Sequence, residues 1–224
     1  MKHRIKLSDR LLPNYTKGEE IMNMVTHIAG FALSLVVIVL CLTKAAQNNN
    51  IPGIVGAGID GGTMLILYAV SSIYHGLRPN LGKKVMQILD HCAIYFFIAG
   101  TYTVILLSAF FPRYPLLATL LLLEQWCLCV LATTFTAVDL KKYNVLSMIC
   151  YIAMGWSIIF FSSQCITALT KPGFLWLLAG GIVYTIGAIL YGIGSKMHWI
   201  HSVFHIFVVA GSFLQFISVF AFAL

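Results

Sequence analysis

The sequence predicts an all-α polytopic membrane protein with seven transmembrane helices, N-terminus cytoplasmic and C-terminus outside. The first observation is composition. Of the 224 residues, 60% are hydrophobic and only 9% are charged, and the mean hydropathy is +0.92. A soluble domain of this length carries roughly a quarter charged residues because its surface faces water. This chain has too few polar groups to cover itself, so we expect most of its surface to face lipid.

The second observation is the set of apolar runs. Seven of them are long enough to cross a hydrocarbon core about 30 Å thick, which takes about twenty helical residues. The segments between them are rich in Pro, Gly, Asn or Lys, which is typical of helix ends. The predicted spans are 21–43, 54–76, 87–110, 114–135, 145–164, 174–193 and 201–223. A basic cytoplasmic tail over 1–20 therefore precedes a seven-helix domain over 21–224.

The third observation is the placement of Lys and Arg, which fixes the orientation. Eleven basic residues lie on the side of the N-terminus: five before the first span, three in 78–84, two in 139–144, and Lys196. The opposite side holds three, namely Lys44, Arg113 and Lys171. Because cytoplasmic loops carry the excess of Lys and Arg, the N-terminus is expected in the cytoplasm and the C-terminus outside.

The net charge of +7 does not indicate a nucleic-acid partner, since no basic face is interleaved with aromatic residues. The basic tail is instead expected to contact anionic lipid headgroups. Membrane lipids are thus the predicted partners, and no soluble partner is indicated.

Polar residues cluster at the predicted cytoplasmic ends of four helices. Ionisable residues inside a bilayer are costly, so they are functional candidates. Only Lys and Arg were used to set the topology, so the occurrence of all four clusters on the same side of the membrane is an independent check of that topology. The clusters are Glu20, Asn23 and His27 in the first span, Ser71 and His75 in the second, Asp90 and His91 in the third, and His201 and His205 in the seventh.

The last of these clusters indicates a metal site. His201 and His205 are four residues apart, so both rings lie on one helical face, about 5–6 Å apart at Cβ. Alone, the pair fits two packed interfacial histidines equally well. His75 at the same depth supplies a third nitrogen, and three histidines with one open position form a catalytic zinc site. Asp90 could hydrogen-bond a water at that position.

The order of these residues carries a resemblance to a known family. The motifs are Glu20-x-x-Asn23-x-x-x-His27, Ser71-x-x-x-His75, Leu89-Asp90-His91 through Thr101-Tyr102-Thr103, and His201-x-x-x-His205. Together they resemble the haemolysin III branch of the progestin and adipoQ receptor superfamily over nearly the whole chain. Val104 departs from the pattern, which has proline there. We expect this to alter a kink in the third span and leave the metal site unchanged.

The resemblance implies a zinc ion held by His75, His201 and His205, with Ser71 and Asp90 beside the water at the open position. It also implies similarity to alkaline ceramidases, and hence hydrolysis of a lipid amide. Bacterial members are named for haemolysis, and links to membrane-lipid homeostasis have been suggested.

The remaining polar residues allow alternatives. His27 shares a polar stripe with Glu20 and Asn23, which favours a supporting role for these three around the metal, although His27 could also be a ligand. His91 points about 100° away from Asp90, so a helix interface is expected. Glu124, in the middle of the fourth span, could form a structural hydrogen bond or line a cavity, and the structural role is preferred.

Three functions fit these expectations. The first is a zinc-dependent hydrolase of a lipid amide or ester, in which Asp90 orients or deprotonates the water, Ser71 assists, and the substrate enters laterally from the cytoplasmic leaflet. The second is a non-enzymatic sensor or regulator whose structural zinc takes Asp90 or His27 as a fourth ligand. The third, a haemolytic pore, is disfavoured because the spans offer few polar stripes.

Overall fold

The computed structural model describes residues 6–194 and 197–224, and within them the chain is all-helical, as predicted. A 3-10 turn over Ser157–Phe161 joins α5 to α6, and π-helical turns extend α3 and α7. Lys2, Arg4 and Lys196, which contributed to the predicted orientation, lie outside the described residues. The helices are α1 (Lys17–Gln47), α2 (Ile51–Gly76), α3 (Leu81–Ile105), α4 (Pro115–Val138), α5 (Asn144–Trp156), α6 (Ser162–Gly194) and α7 (Ile200–Ser218).

Six helical stretches in the described part of the chain are long and apolar enough to cross a membrane. The fifth is the 51-residue run Asn144–Gly194, which contains both α5 and α6. Thr170 interrupts it with φ 65° and ψ 165°, a conformation that a β-branched residue rarely adopts, and Pro172 follows. A break at 170–173 was predicted, whereas the count of seven spans remains a prediction.

Three helices, α1, α2 and α3, begin earlier than the predicted spans because polar residues cap them; at the start of α2, Asn50 Oδ1 accepts a hydrogen bond from Gly53 N at 2.8 Å. At the start of α1, Thr16 Oγ1 accepts a hydrogen bond from Glu19 N at 3.2 Å, and the Glu19 carboxylate accepts one from Thr16 N at 2.8 Å. At the start of α3, Asn80 Oδ1 accepts one from Lys83 N at 2.8 Å. Asp90 therefore lies in the third turn of α3 and not at its beginning.

The third helix occupies the centre of the bundle. Its membrane-spanning stretch is the most buried of the six, and it packs against α2, α4 and α5. The helix α1 packs on α2 and α7, and α6 packs on α7. Val104 is fully buried, and a Cβ at Gly56 of α2 would lie only 2.6 Å from Val104 Cα. The third helix stays α-helical through Val104 and changes to a π-helical turn after Ile105.

Candidate metal centre

Three buried histidines from α2 and α7 converge at one end of the bundle. Ring nitrogens of His75, His201 and His205 all lie within 4.8 Å of one another. His201 Nε2 and His205 Nε2 are 3.1 Å apart. Two nitrogens that share a tetrahedral zinc at about 2.0–2.1 Å are about 3.3 Å apart. The predicted three-histidine cluster is thus present, and the spacing of its His201–His205 pair fits a shared metal ion.

Several polar atoms around this cluster have no partner. His75 Nε2, His205 Nδ1 and Ser71 Oγ are buried and make no hydrogen bond to the described residues. Buried polar atoms without a partner are rare in folded proteins, because each forfeits its hydration. His75 Nδ1 is occupied by Glu20, so the free lone pair of that ring is on Nε2, the nitrogen that a metal would take.

The carboxylate of Glu20 fixes the orientation of the His75 ring. Glu20 Oε2 lies 2.6 Å from His75 Nδ1, and Oε1 accepts a hydrogen bond from Lys83 Nζ at 2.6 Å. Lys83 also donates to the Leu77 carbonyl at 2.9 Å and is almost fully buried. A carboxylate on the second nitrogen of a metal-ligating histidine fixes its tautomer and raises its basicity. No role at the site was predicted for Lys83, because its charge was assigned to the loop at 78–84.

Asn23 and His27 contact the cluster from α1. Asn23 Nδ2 lies 3.4 Å from His75 Nδ1, and Asn23 Oδ1 accepts a hydrogen bond from Ser202 Oγ at 2.6 Å. The His27 ring stacks on His205 with centroids 3.8 Å apart, and neither of its nitrogens has a hydrogen-bond partner in the described structure. Asn23 therefore links α1 to α7 through Ser202 and lies beside His75 of α2, and His27 contacts the cluster through its ring face.

Ser71 and Asp90 border the same space as His201 and His205. Ser71 is fully buried, while the Asp90 side chain keeps 14% of its surface exposed, with Oδ2 3.7 Å from His91 Nδ1. Neither side chain hydrogen-bonds to the three histidines in the described structure. Ser71 and Asp90 thus lie beside the site without a hydrogen bond to its histidines in the described structure.

Ser71, Asp90, His201 and His205 line a cavity of about 180 Å³ between α3, α5, α6 and α7. The histidine end is polar, and the remaining wall is mostly apolar, including Ile105, Phe174 and Leu177. Gly155 and Ile152 of α5 line the cavity and are both exposed. The cavity is therefore bordered by exposed residues of α5.

The segment before α1 covers the histidine cluster from the other side. The Tyr15 ring stacks on His201 with centroids 4.9 Å apart and an interplanar angle of 15°. Burial, followed by the neighbouring Tyr191 and Glu20, raises the pKa of the Tyr15 hydroxyl, which therefore stays neutral. Glu19 Oε1 accepts a hydrogen bond from Trp199 N at 2.7 Å, which holds the start of α7 against α1.

One expectation is confirmed and one needs correction. His91 was expected at a helix interface, and its ring hydrogen-bonds across to Tyr191 OH of α6 at 3.0 Å while it also lines the cavity. Glu124 makes no hydrogen bond to the described residues. The structural role expected of it belongs to the next residue, Gln125, whose buried amide donates to Met154 O at 3.2 Å and Ser157 Oγ at 2.9 Å.

Comparison with known proteins identifies the family. The family described as haemolysin-III related matches residues 15–216, which includes every residue of the cluster. The chain belongs to the haemolysin III family. This haemolysin III protein is 36% identical to Hemolysin-3 of Bacillus cereus over 201 residues, covering 90% of each chain. It is also 36% identical over 205 residues to the Hemolysin-3 homolog of Bacillus subtilis (strain 168), covering 92% of this chain and 94% of the relative.

A more distant relative supports the wider superfamily. The Monocyte to macrophage differentiation factor of Homo sapiens is 24% identical over 172 residues, covering 73% of this chain and 68% of the relative. The match agrees with the progestin and adipoQ receptor superfamily. Together with the membrane-capable helices, the family assignment makes this haemolysin III protein a multi-pass protein of the cell membrane.

Proposed function

We propose that this haemolysin III protein is a zinc-dependent hydrolase that cleaves an amide or ester bond of a membrane lipid. One observation carries the proposal: two of the three clustered histidines, His201 and His205, line a mostly apolar cavity that is bordered by exposed residues of α5. A cluster of ligands alone would fit any metal site. An apolar cavity that begins at such a cluster and is bordered by exposed residues fits an acyl chain whose carbonyl lies at the histidines.

The chemistry of the donors favours zinc. Three neutral imidazoles suit Zn²⁺, whereas Ca²⁺ and Mg²⁺ take oxygen ligands. His75, His201 and His205 would hold the ion, with Glu20 as the hydrogen-bond acceptor behind His75. A zinc ion held by three histidines activates a water molecule for attack on a carbonyl at neutral pH.

Asp90 and Ser71 would move the protons and stabilise the charge. Asp90 accepts the proton of the attacking water as a new C–O bond forms at the carbonyl. The same proton then passes to the leaving nitrogen or oxygen as the old bond breaks. The Ser71 hydroxyl, buried and without a partner, donates to the carbonyl oxygen as it gains negative charge. The apolar cavity wall excludes bulk water from the acyl side.

The open position distinguishes this proposal from a regulator with a structural zinc. A closed site needs a fourth protein ligand, and Asp90 and His27 are the candidates. Among residues 6–194 and 197–224, no fourth His, Cys, Asp or Glu joins the cluster, and His27 contacts it through its ring face. A pore fits less well because the histidine and carboxylate side chains that line the cavity gather at one end.

We further propose seven spans with the N-terminus in the cytoplasm, the C-terminus outside, and the basic tail 1–20 on anionic headgroups. The break at Thr170 divides the long run into residues 144–169 and 171–194, which are about 39 Å and about 36 Å long at 1.5 Å per residue. Each half is long enough for a core about 30 Å thick. This topology places the histidine end of the cavity at the cytoplasmic leaflet.

The test is fatty-acid release by the purified zinc-loaded protein from a panel of ceramides, other N-acyl amides and phospholipid esters, followed by mass spectrometry. We expect release from at least one class, and loss of release in Asp90→Asn with zinc retained. Glu124→Gln, another acidic residue within a span, is the matched control and should keep activity. No release from any lipid by folded, zinc-loaded protein would contradict the proposal, as would unchanged release by Asp90→Asn.

A further inference from the structure

A second buried polar site surrounds Asp60, far from the histidines. Asp60 lies fifteen residues before His75 in α2, about 22 Å along the helix. It is 6% exposed, and its Oδ1 accepts a hydrogen bond from Thr101 Oγ1 at 2.8 Å. Its other oxygen has no hydrogen-bond partner in the described structure, and no Lys, Arg or His of the described residues lies within 4 Å. A carboxylate at this depth without a counter-charge is costly, which marks it as a functional candidate.

A small cavity adjoins this carboxylate. Its volume is about 10 Å³, and oxygen-bearing side chains of Asp60, Thr101, Ser212 and Gln215 line it together with four apolar side chains. A cavity of this size accepts about one water-sized sphere. The space therefore matches a single small ion or one water molecule, and not an organic ligand.

The four oxygen-bearing side chains are not equally free. Ser212 Oγ is engaged by Tyr68 OH at 2.7 Å and Tyr184 OH at 2.8 Å, and it donates to the Val208 carbonyl at 3.0 Å. Gln215 makes no side-chain hydrogen bond to the described residues. Thr101 donates its single proton, so the lone pairs of its oxygen stay available. Three oxygens thus remain: the Asp60 carboxylate, the Thr101 hydroxyl and the Gln215 amide.

We propose that this cavity binds one Na⁺ ion through Asp60, Thr101 and Gln215. A single carboxylate neutralises one monovalent cation, whereas a divalent ion would leave a buried positive charge and would need six to eight oxygens. Na⁺ is smaller than a water molecule and fits the cavity, while K⁺ is similar in size to water and fills it to the limit. Lys44 of α1 forms no ion pair with Asp60 in the described structure, and its ammonium donates to the Phe220 carbonyl at 2.5 Å.

The ion would link three helices and strengthen one wall of the large cavity. Asp60 belongs to α2, Thr101 to α3 and Gln215 to α7. Thr101 and Gln215, together with Phe97, line both cavities, so these three side chains form the partition between them. Bound Na⁺ stabilises this partition and raises the stability of the fold by binding the native state alone.

The test is thermal unfolding of the full chain in detergent, with NaCl exchanged for choline chloride at constant ionic strength. Between about 1 and about 150 mM Na⁺ we expect the Tm of the wild type to rise by about 2–4 °C, and K⁺ to give less. Asp60→Asn should lose the shift, whereas Glu124→Gln should keep it. A wild-type Tm that does not change with Na⁺ concentration would overturn the proposal, as would an equal Tm shift in Asp60→Asn.

A second variant covers the case in which Asp60→Asn does not fold. Gln215→Leu has a similar shape and removes one ligand, so the Na⁺ concentration at half the Tm shift should rise at least about tenfold. Sodium NMR on the wild type should show line broadening by the protein that Gln215→Leu weakens. The proposal would be overturned if the Na⁺ concentration at half the Tm shift were unchanged in Gln215→Leu, or if folded wild-type protein did not broaden the sodium signal.

Discussion

Glu20 Oε2 lies 2.6 Å from His75 Nδ1, and the other oxygen of the same carboxylate lies 2.6 Å from Lys83 Nζ. One side chain of α1 thereby connects the metal-facing histidine of α2 with a buried lysine of α3. The contact leaves the lone pair of His75 on Nε2, toward His201 and His205. Replacing Glu20 should therefore change the metal affinity, and replacing Lys83 should change the stability of the fold.

Glu20→Gln should weaken zinc binding about 10- to 100-fold, because it removes the charged acceptor behind His75. Competition with a fluorescent zinc chelator measures the affinity of the purified protein. Glu124→Gln changes an acidic residue that makes no hydrogen bond in the described structure, and it should bind zinc as the wild type does. Equal affinities for Glu20→Gln and wild type would show that the carboxylate does not support the site.

Lys83→Met should lower the free energy of unfolding by about 2–4 kcal/mol, because it leaves the Glu20 carboxylate without its cation in a mostly buried position. Lys84→Met is the matched control. Within the described residues the Lys84 ammonium hydrogen-bonds only to the Ser8 carbonyl, in an exposed position, so the loss there should stay below about 1 kcal/mol. Denaturant unfolding in detergent measures both, and equal losses in the two variants would contradict the pairing.

Large side chains at Gly155 and Gly181 should block lipid entry. Both glycines line the cavity, and a Cβ at either meets no atom within 4 Å, so Gly155→Phe and Gly181→Phe should fold. Lipid hydrolysis should fall at least about tenfold with zinc content unchanged, since only access is lost. Gly58→Phe and Gly192→Phe, at equally open glycines outside the cavity wall, should keep the rate. Equal rates in all four variants would exclude entry beside α5.

Removal of the Tyr15 ring should expose the histidines to water. Tyr15→Ala deletes the ring stacked on His201, and zinc extraction by EDTA should become about three- to tenfold faster. Tyr15→Phe keeps the ring and should behave as the wild type. The rate of zinc loss is followed with a chromogenic indicator. If Tyr15→Ala and Tyr15→Phe lose zinc equally fast, the ring does not shield the site.

The apolar runs predicted the helices well, and they failed at helix ends. Lys17 and Lys83 were assigned to non-helical segments by charge, yet Thr16 and Asn80 begin α1 and α3 before these lysines by capping backbone N–H groups. Such ends depend on one side-chain oxygen, which a window of average hydropathy does not register. Thr170, in contrast, stands beside Lys171 and Pro172, and the break there was predictable.

The candidate site was predictable where its residues share a helix or a depth. His201 and His205 follow helical spacing, and the loop charges place His75 at the same level. Asp60 was overlooked although it is an ionisable residue inside a predicted span, because no histidine or carboxylate shares its helical spacing and its partner Thr101 is 41 residues away in sequence. The bond between Glu20 and Lys83 was hidden for the same reason, since it joins two helices 63 residues apart.

The zinc content of the purified protein tests the central claim most directly. Elemental analysis of the wild type should give about one zinc per chain, because three histidines form one site. The double variant His201→Ala/His205→Ala, with the helical content and monodispersity of the wild type, should give almost none. Equal zinc in the two proteins would contradict a metal centre at His75, His201 and His205.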